Sequence, residues 1–488
     1  MRKQPKSGRS SAPARVAIDL GAESCRVSLL RWVSGSPQIT LVHRTPNGPD
    51  FDPAAGPNGE LRWPLARILL GIRHGLVLAA DLAPEGIASI AVDGWAVDYI
   101  RLTPADSPES EPFCYRDIRT ESAKATADSI LPPEEIFSLT SAQPLRINTV
   151  YQLLADLHAG LDPATPWIQF PEYILHWLGA RRVAEYTNAS HTGVLLGPTR
   201  QWSPEIFSRL GLSLAAAPPI VQPGTVIGRV AGPIAGLPAY RNTALIAPAC
   251  HDTASAIAAI PFPMESSAYL VAGTWSLVGT LVPTPIATPA ALAAGFTNQG
   301  AAIGGSLFHT NVNGMWSLKQ CLDHWNGQDR ELDLLSLITH AAELPAPNLR
   351  FKVDAPALLL AGKMPERIND QLIAEGSQPI PDLPGNEPLF FRVIFESLAL
   401  RYAQVITQLQ QLTGRTFSQI VMVGGANRNQ LLVRLTEAAT GLPILVGPSE
   451  GSTLGNLAIQ LAASESQPMD PARVLHWASI LNQADFHG

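Results

Sequence analysis

Residues 15–32 read RVAIDLGAESCRVSLLRW, and this stretch decides the fold. Apolar residues alternate before a glycine and resume after it, which predicts a strand, a tight turn and a second strand: Val16, Ile18, Leu20, Gly21, Val27, Leu29. Asp19 lies near the end of the first predicted strand. Such a hairpin offers backbone N–H groups to a phosphate and a carboxylate to hydrated magnesium, although an ordinary β-hairpin has the same pattern.

A second stretch, SAYLVAGTWSLVGTLV at residues 267–282, repeats this arrangement. When Gly21 and Gly273 are aligned, each follows a short apolar run and precedes another. The match suggests a duplicated fold in which two similar domains each present a phosphate-facing hairpin. A coincidence between two common hairpins is the alternative.

A third stretch, PACHDTASA at residues 248–256, carries one carboxylate among small residues. The apolar run 244–247 precedes it and a helical pattern follows at 255–260, so Asp252 lies at a strand-to-helix junction. Catalytic groups often occupy such junctions in α/β proteins. We therefore interpret Asp252 as a general base.

Length and charge limit the possible functions. The chain has 488 residues, which favours two domains, and its 34 basic and 41 acidic residues give a net charge of -7. This balance of charges argues against nucleic acid as the main partner, because its binding needs a basic face. Residues 266–308 contain no Asp, Glu, Lys or Arg, but Gly, Pro, Ser and Thr interrupt them throughout, so we do not expect a membrane span.

The four cysteines lack C-x-x-C spacing, which argues against a zinc or thioredoxin-like site and favours a reducing cytoplasm. The basic, Ser- and Pro-rich residues 1–14 are predicted to be a disordered tail rather than a secretory signal. A domain boundary is predicted at 261–267.

Several further elements are predicted. Helices are expected at 61–81 and 389–412, and a strand at 419–423 leads into Gly424 and Gly425, a nucleotide-type glycine pair. Residues 87–102 read as strand, turn, strand, with Asp93 and Asp98 either touching a polar ligand or solvated in a turn. In the cluster 115–120 a guanidinium either binds a sugar hydroxyl or, by default, pairs with Asp117 on the surface.

The order of the motifs carries more information than any one of them. It resembles that of sugar kinases of the FGGY type, from about Val16 to about Gln460: DLG-x-x-x-x-R from Asp19, YRD-x-RT from Tyr115, NTVYQL from Asn148, EYTNAS from Glu185, HDTASA from His251, GTWSL from Gly273, VGGAN from Val423 and STLGN from Ser452. Within that group the chain most resembles the rhamnulokinases.

The resemblance implies an α/β fold of two actin-like (ribonuclease H-like) domains facing each other across a cleft. It implies an N-terminal domain at 15–262 with the sugar and the phosphate hairpin, a C-terminal domain at 263–465 that binds ATP, and an extension at 466–488. The implied reaction is phosphorylation of L-rhamnulose to L-rhamnulose 1-phosphate by ATP with Mg²⁺, in a cytoplasmic monomer or homodimer.

The resemblance also implies a role for individual residues. Asp252 matches the catalytic base, and Asp19 matches the metal-binding carboxylate. The positions that match sugar contacts are His251, Thr253, Asn311 and Ala96. The positions that match nucleotide contacts are Ala22, Glu23, Ser24, Cys25, Arg26, Thr274, Lys319 and Gly425.

Three positions depart from the family pattern. Cys25 stands where Gly is usual and is expected to crowd the phosphate. Ala96 replaces a sugar-facing Gly and is expected to narrow the pocket. Lys319 replaces a nucleotide-contacting Gln, a contact that Lys319 or Gln320 could still make.

Three alternatives remain open. Ala96 favours a kinase for another sugar, such as L-fuculose or xylulose, and Cys25 favours a sugar- or nucleotide-binding protein without catalysis. A metal phosphohydrolase with His251 as ligand is the third. It is disfavoured because His176, His191, His309 and His324 show no grouping with His251 in the sequence.

Overall fold

The computed structural model describes residues 13–55, 59–261 and 264–487. They form two compact units. The first contains the described residues up to Pro261, Gln299–Gly305 and the residues from Ser452 onward. The second contains Ser306–Gly451 and the described residues between Pro261 and Gln299. The predicted tail at 1–14 falls mostly outside the described residues, since Ala14 already begins the first strand.

Among its described residues up to Pro261, the first unit has twelve strands and eight α-helices. The strands are β1 Ala14–Leu20, β2 Ser24–Val33, β3 Ser36–Pro46, β4 Asp50–Asp52, β5 Glu60–Arg62, β6 Ile87–Gly94, β7 Tyr99–Arg101, β8 Trp167–Gln169, β9 Ala184–Glu185, β10 Ile220–Val221, β11 Thr225–Arg229 and β12 Ala244–Ala247. The helices are α1 Leu65–Leu82, α2 Thr120–Ile130, α3 Pro133–Thr140, α4 Thr149–His158, α5 Phe170–Trp177, α6 Tyr186–Ala189, α7 Pro204–Arg209 and α8 Asp252–Ala258.

The second unit follows with six strands and six α-helices among its described residues, and the last two residues of β15 belong to the first unit. The strands are β13 Ser267–Ala272, β14 Trp275–Val282, β15 Thr297–Gly300, β16 Ser306–Asn313, β17 Gln419–Val423 and β18 Ile444–Val446. The helices are α9 Pro289–Ala293, α10 Trp316–Asn326, α11 Leu334–Glu343, α12 Met364–Ala374, α13 Glu387–Thr413 and α14 Gln430–Thr440. The chain then forms α15 Gly451–Glu465, α16 Pro471–Leu481 and β19 Asp485–His487.

The two main sheets share one strand plan. In the first unit the order is β11-β12-β6-β1-β2-β3-β19, and in the second it is β15-β16-β14-β13-β17-β18. Both contain three antiparallel strands followed by two parallel ones, β3-β2-β1-β6-β12 and β16-β14-β13-β17-β18. The predicted duplication is therefore confirmed, with β1 and β2 corresponding to β13 and β14. Each unit has the actin-like, ribonuclease H-like plan.

Apolar residues on alternating strand positions and on one helix face build the first core. Val16, Ile18 and Leu20 of β1 are fully buried, as are Ile72 and Leu76 on the inner face of α1. The predicted helix 389–412 is present as α13. The predicted helix 61–81 is present as α1 only from Leu65, because residues 60–62 form β5. No helix in the described ranges is long and apolar enough to cross a membrane.

The predicted strand, turn and strand at 87–102 are present as β6 and β7, and β7 pairs with β8 in a separate two-stranded sheet. One prediction about the chain path differs from the structure. The segment 452–465, predicted as part of the C-terminal domain, packs in the first unit as α15. The reason is its polar face, which bonds to β1 and β6 as described below.

Helix α15 crosses α8 with backbone against backbone. A Cβ atom on Gly455 would overlap the carbonyl group of Ser255, so only glycine fits at this crossing. Asp252 is the first residue of α8, so this crossing fixes the position of the helix that carries Asp252.

We expect Gly455→Ala to destabilise the protein by about 2–4 kcal/mol, because a rigid backbone atom must be displaced. Thermal and denaturant unfolding of the purified variant measure the loss. Gly236→Ala is the matched control, since a Cβ there meets no atom within 4 Å. Equal stability of the two variants would show that α15 does not press on α8.

Candidate active site

Three carboxylates lie at the carboxyl ends of adjacent parallel strands in the first unit. Asp19 in β1 and Asp93 in β6 are register partners. The third strand, β12, leads into residues 248–251, where Gly94 donates its N–H to the carbonyl of Cys250 at 2.9 Å. Asp252 follows as the first residue of α8. Ligands of open α/β sheets bind at this edge.

The segment before Asp252 is held by the EYTNAS motif. Buried Glu185 accepts hydrogen bonds from the backbone N–H of Cys250 at 2.8 Å and of Thr187 at 2.9 Å. The hydroxyl of Thr187 accepts from the N–H of His251 at 3.3 Å. The structural effect of this motif is to fix the backbone that presents Asp252.

The carboxylates repel one another, with one guanidinium beside them. Arg26 donates to Asp19 at 2.9 Å. Desolvation, and then the negative charge of Asp19, raises the pKa of Asp252 to about 7, although its side chain keeps 35% of its surface exposed. Desolvation and the charge of Asp19 also raise the pKa of fully buried Asp93, against a hydrogen bond from Asn456. The site therefore carries excess negative potential.

This potential fits a divalent cation. The Oδ1 atom of Asp93 is buried and accepts no hydrogen bond from the residues that the structure describes. Within those residues no group of three or more His, Cys, Asp or Glu side chains is arranged to enclose a metal ion. Magnesium is usually held by one or two carboxylates with water and phosphate oxygens, so Asp19 and Asp93 suit it without a full protein cage.

A row of polar side chains on α15 reaches the strands that carry Asp19 and Asp93. Its members are four residues apart and thus share one helix face: Ser452, Asn456, Gln460 and Ser464. Ser452 donates to Asp19 at 2.8 Å and Asn456 donates to Asp93 at 2.6 Å. Gln460 donates to the carbonyl of Val16 at 2.9 Å.

The lower end of the row continues these bonds. Ser89 of β6 donates to Gln460 at 2.6 Å, and Arg15 donates to Ser464 at 2.9 Å. Asn456 and Gln460 are buried, Ser452 is partly buried and Ser464 is exposed. We call these four residues the α15 polar row; they attach α15 to the first unit and explain why STLGN belongs there.

The predicted phosphate hairpin has a tight turn between β1 and β2. Gly21 donates to the carbonyl of Ser24 at 3.1 Å, and the Asn47 amide donates to the carbonyl of Gly21 at 2.9 Å. Ala22 and Ser24 are partly buried and Glu23 is exposed.

The expectation that Cys25 crowds a phosphate is wrong. Its side chain is 5% exposed and packs into the hydrophobic core with Leu20 and Val27. Because side chains alternate along a strand, a residue whose side chain enters the core leaves the other face clear. Burial raises the pKa of the Cys25 thiol to about 12, so it stays protonated.

Ala96 lies in a strained turn held by the NTVYQL motif. The next residue, Val97, has a φ of 72°, a conformation that β-branched residues rarely adopt. Its carbonyl accepts from Thr149 at 2.7 Å and from Gln152 at 3.2 Å. The methyl group of Ala96 is 9% exposed. Such strain persists only where neighbours fix it, and it is common at binding sites.

Asp98 is neither solvated nor available to a ligand. It is fully buried, and it accepts from the indoles of Trp63 at 2.6 Å and Trp95 at 3.0 Å and from the Gln152 amide at 3.0 Å. Burial raises its pKa to about 6, against these donors.

The surface pair expected at Asp117 is also wrong. Asp117 is buried and accepts backbone N–H groups of Leu61 at 2.7 Å and Arg119 at 2.8 Å. The guanidinium of Arg119 instead pairs with Asp156 at 2.6 Å.

His251 lies beside Asp252 and His191 lies beside His251, whereas the sequence suggested no grouping. Nε2 of His251 lies 3.4 Å from Oδ1 of Asp252, and its Nδ1 lies 3.1 Å from Nε2 of His191. The interpretation of the four histidines as ungrouped is thus wrong for His191. Thr253 donates to the same Oδ1 from its N–H at 2.5 Å and from its hydroxyl at 3.2 Å.

The other predicted site residues lie in the second unit. Thr274 is in the turn between β13 and β14, and Asn311 is exposed on β16. Lys319 is exposed on α10 and pairs with Asp323 at 2.8 Å. The amide of Gln320 bonds to Gly362 and Asp323, so it is already engaged.

The two glycines after β17 have different structural roles. Gly424 has a φ of 91°, and a Cβ there would lie 2.7 Å from the carbonyl oxygen of Ala272. Gly425 has open space where a side chain would project. Gly424 therefore shapes the turn, and Gly425 leaves a bare backbone surface.

Comparison with known proteins identifies the family. Residues 268–464 match the model of the C-terminal domain of the FGGY family of carbohydrate kinases. The chain is 36% identical to the rhamnulokinase of Pectobacterium carotovorum over 456 residues, which cover 92% of this chain and 88% of that one. The chain belongs to the FGGY family of carbohydrate kinases.

Further relatives agree. The rhamnulokinase of Bacteroides thetaiotaomicron is 32% identical over 91% of this FGGY kinase and 89% of its own length. Two crystal structures share the fold. The gluconate kinase of Lactobacillus acidophilus superposes with a TM-score of 0.76 at 18% identity, and the match covers 98% of this chain and 94% of that one. The glycerol kinase of Plasmodium falciparum with ADP superposes with a TM-score of 0.73 at 14% identity and the same coverage.

We expect Asn456→Asp to make the stability of this FGGY kinase steeply pH-dependent. The variant places a fourth carboxyl beside Asp93, and the folded state keeps a proton that the unfolded chain releases. The pKa of this carboxyl pair is therefore higher in the folded than in the unfolded protein. The free energy of unfolding consequently decreases as the pH rises above about 4, where the unfolded chain begins to lose the proton. The loss relative to the parent approaches about 1.4 kcal/mol per pH unit until the folded pKa is reached.

Unfolding of parent and variant between pH 5 and pH 8 measures this slope. Asn242→Asp, in an exposed loop of the same unit, is the control. Parallel curves for Asn456→Asp and Asn242→Asp would show that Asn456 does not govern the charge of Asp93.

Proposed function

We propose that this kinase transfers the γ-phosphoryl group of ATP to the primary hydroxyl of L-rhamnulose, giving L-rhamnulose 1-phosphate. Two curated relatives that match nearly the whole chain, at 36% and 32% identity, are named rhamnulokinase. The observation that carries the mechanism is the position of Asp252, a half-exposed carboxylate with a raised pKa at the end of three parallel strands.

Asp252 is the general base. A sugar hydroxyl is a poor nucleophile, and a carboxylate that accepts its proton as the oxygen attacks phosphorus removes much of the barrier. A base works best when its pKa is close to the working pH, and loss of hydration together with the charge of Asp19 brings Asp252 there. Thr253 and His251 hold the carboxylate from two sides.

The sugar lies against His251, Thr253 and the turn at Ala96. Val97 is held in its strained form by Thr149 and Gln152, so the turn is rigid before the sugar binds. A rigid wall of this kind discriminates sugars by shape. The Ala96 methyl group supports the second candidate, a kinase for another ketose or deoxysugar such as L-fuculose or xylulose. Asn311 is the contact proposed from the second unit.

The phosphates of ATP bind at the two hairpin turns. Ala22, Glu23, Ser24 and Cys25 contribute backbone N–H groups, and Arg26 contributes positive charge. Thr274 and the exposed Lys319 contact phosphate from the second unit, and the bare backbone at Gly425 admits the adenosine. Mg²⁺, when bound near Asp19 and Asp93, would neutralise phosphate charge.

The state of the cysteines bears on the compartment in which the protein works. All four cysteines are buried and unpaired in the structure, which supports a reducing compartment such as the cytoplasm. We propose a monomer or homodimer that needs no nucleic acid or membrane partner.

We expect the purified protein, given ATP, Mg²⁺ and a panel of ketoses, to release ADP fastest with L-rhamnulose. Asp252→Asn should lower kcat at least ~10²-fold, since the amide cannot accept the proton. Asp81→Asn, the same change at an exposed residue of α1, should retain activity. Turnover that survives in Asp252→Asn would contradict the assignment of the base, and faster turnover with L-fuculose or xylulose would favour the second candidate. ATP binding without turnover on any sugar would instead identify a binding protein.

We also expect kcat/KM for the sugar to fall on the acid side of about pH 7. The base is active when ionised, so protonation of Asp252 below its pKa removes activity, tenfold per pH unit at the limit. Initial rates from pH 5 to pH 9 at constant ionic strength measure this limb. A rate that stays level down to pH 5 would contradict a base with a raised pKa.

A further inference from the structure

Three side chains form a hydrogen-bonded row that ends beside Asp252. The Gln299 amide nitrogen lies 3.1 Å from Nδ1 of His191, and Nε2 of His191 lies 3.1 Å from Nδ1 of His251. Nε2 of His251 lies 3.4 Å from Oδ1 of Asp252. We call Gln299, His191 and His251 the imidazole relay. All three belong to the first unit.

The amide of Gln299 determines which nitrogen of each imidazole carries the proton. An amide nitrogen only donates, so Nδ1 of His191 accepts and its proton is on Nε2. That N–H donates to Nδ1 of His251, whose own proton is therefore on Nε2. The Nε2–H of His251 thus points to the side on which the Asp252 carboxylate lies.

The opposite direction is unfavourable. If the Gln299 amide were reversed, its oxygen would accept from His191, and each imidazole would present the other nitrogen as donor. His251 would then turn an unprotonated Nε2 toward the Asp252 carboxylate. Two electron-rich groups at 3.4 Å repel each other, so the electrostatics select the first direction.

The two imidazole rings pack against each other. Their centroids are 4.0 Å apart, and His251 is 7% exposed. Burial, and then the neighbouring His251 ring, lowers the pKa of His191 well below its ordinary value. His191 is therefore neutral at working pH, as the relay requires.

We propose that His191, oriented by Gln299, is a positioning residue that fixes His251 in its Nε2–H tautomer, so that His251 donates to the sugar oxygen beside Asp252. This inference rests on the proposed sugar-kinase function, which places His251 against the sugar. His191 itself touches neither the sugar nor the reacting atoms. Its effect passes through His251.

Steady-state kinetics of two His191 variants provide the first test. His191→Leu removes the donor, and we expect the KM for L-rhamnulose to rise about tenfold, while the KM for ATP and the melting temperature stay near the parent's. His191→Gln keeps an N–H at a similar reach and should restore most of the sugar affinity. His158→Leu, at an exposed histidine in the same unit, is the control.

A merely structural His191 would give a different pattern. Equal sugar KM values for His191→Leu, His191→Gln and the parent would overturn the inference. So would a proportional loss of affinity for sugar and ATP together with a lower melting temperature, since that pattern indicates general damage.

The tautomers can be observed without any substrate. In protein labelled with ¹⁵N-histidine, two-bond ¹H–¹⁵N spectra should show Nδ1 as the unprotonated nitrogen in both His191 and His251, with assignments from His191→Gln and His251→Asn. Gln299→Glu, which is nearly isosteric but can only accept, should move the His191 proton to Nδ1 and raise the sugar KM. Protonated Nδ1 in parent His251 would overturn the relay even if kinase activity is found; correct tautomers without turnover on L-rhamnulose would instead count against the proposed function.

Discussion

Mutual repulsion of three carboxylates is the constraint on which the rest of the first unit depends. Asp19, Asp93 and Asp252 share one edge of the sheet, and Arg26 is the guanidinium that pairs with this group. Such an arrangement costs free energy in the folded protein, because each charge loses water and meets a like charge. Proteins keep such costs where the charges act on a ligand. Here the excess negative potential suits a cation and keeps Asp252 basic enough to take a proton.

The structure offsets this cost with neutral donors rather than with more cations. The α15 polar row brings hydroxyl and amide groups to the carboxylates, and Glu185 fixes the backbone before His251. A second arginine in place of Asn456 would lower the pKa of Asp93 and Asp252 and so weaken the base. Neutral donors hold the geometry and leave the basicity in place. The glycine at position 455 lets α15 come close enough to α8 to do this.

Local patterns predicted much of the fold. The two hairpins, the helix α13 and the strand-to-helix junction at Asp252 follow from alternation, helical periodicity and turn glycines, which act over a few residues. The two hairpin patterns suggested a duplicated fold but left coincidence open, and the family resemblance favoured the duplication. The relation of Asp19 to Asp93 depends on the register of two parallel strands about 70 residues apart, which periodicity does not determine.

The incorrect predictions for Cys25, Asp117 and His191 also concern features that local patterns do not determine. Whether Cys25 faces a phosphate or the core depends on the phase of one strand, and the family pattern of Gly at that position concealed the answer. Arg119 pairs with Asp156 and not with its neighbour Asp117, because the Asp117 carboxylate accepts hydrogen bonds from two backbone N–H groups. His191 is 60 residues from His251, and no spacing rule joins them. Contacts of this kind arise only when the chain is folded.

A crystal structure with L-rhamnulose, Mg²⁺ and a non-hydrolysable ATP analogue tests the central claim most directly. The account predicts that the primary hydroxyl of the sugar lies within hydrogen-bond distance of Asp252, and that the metal or its water reaches the buried Oδ1 of Asp93. A sugar hydroxyl turned away from Asp252, with the metal held by other residues, would contradict it.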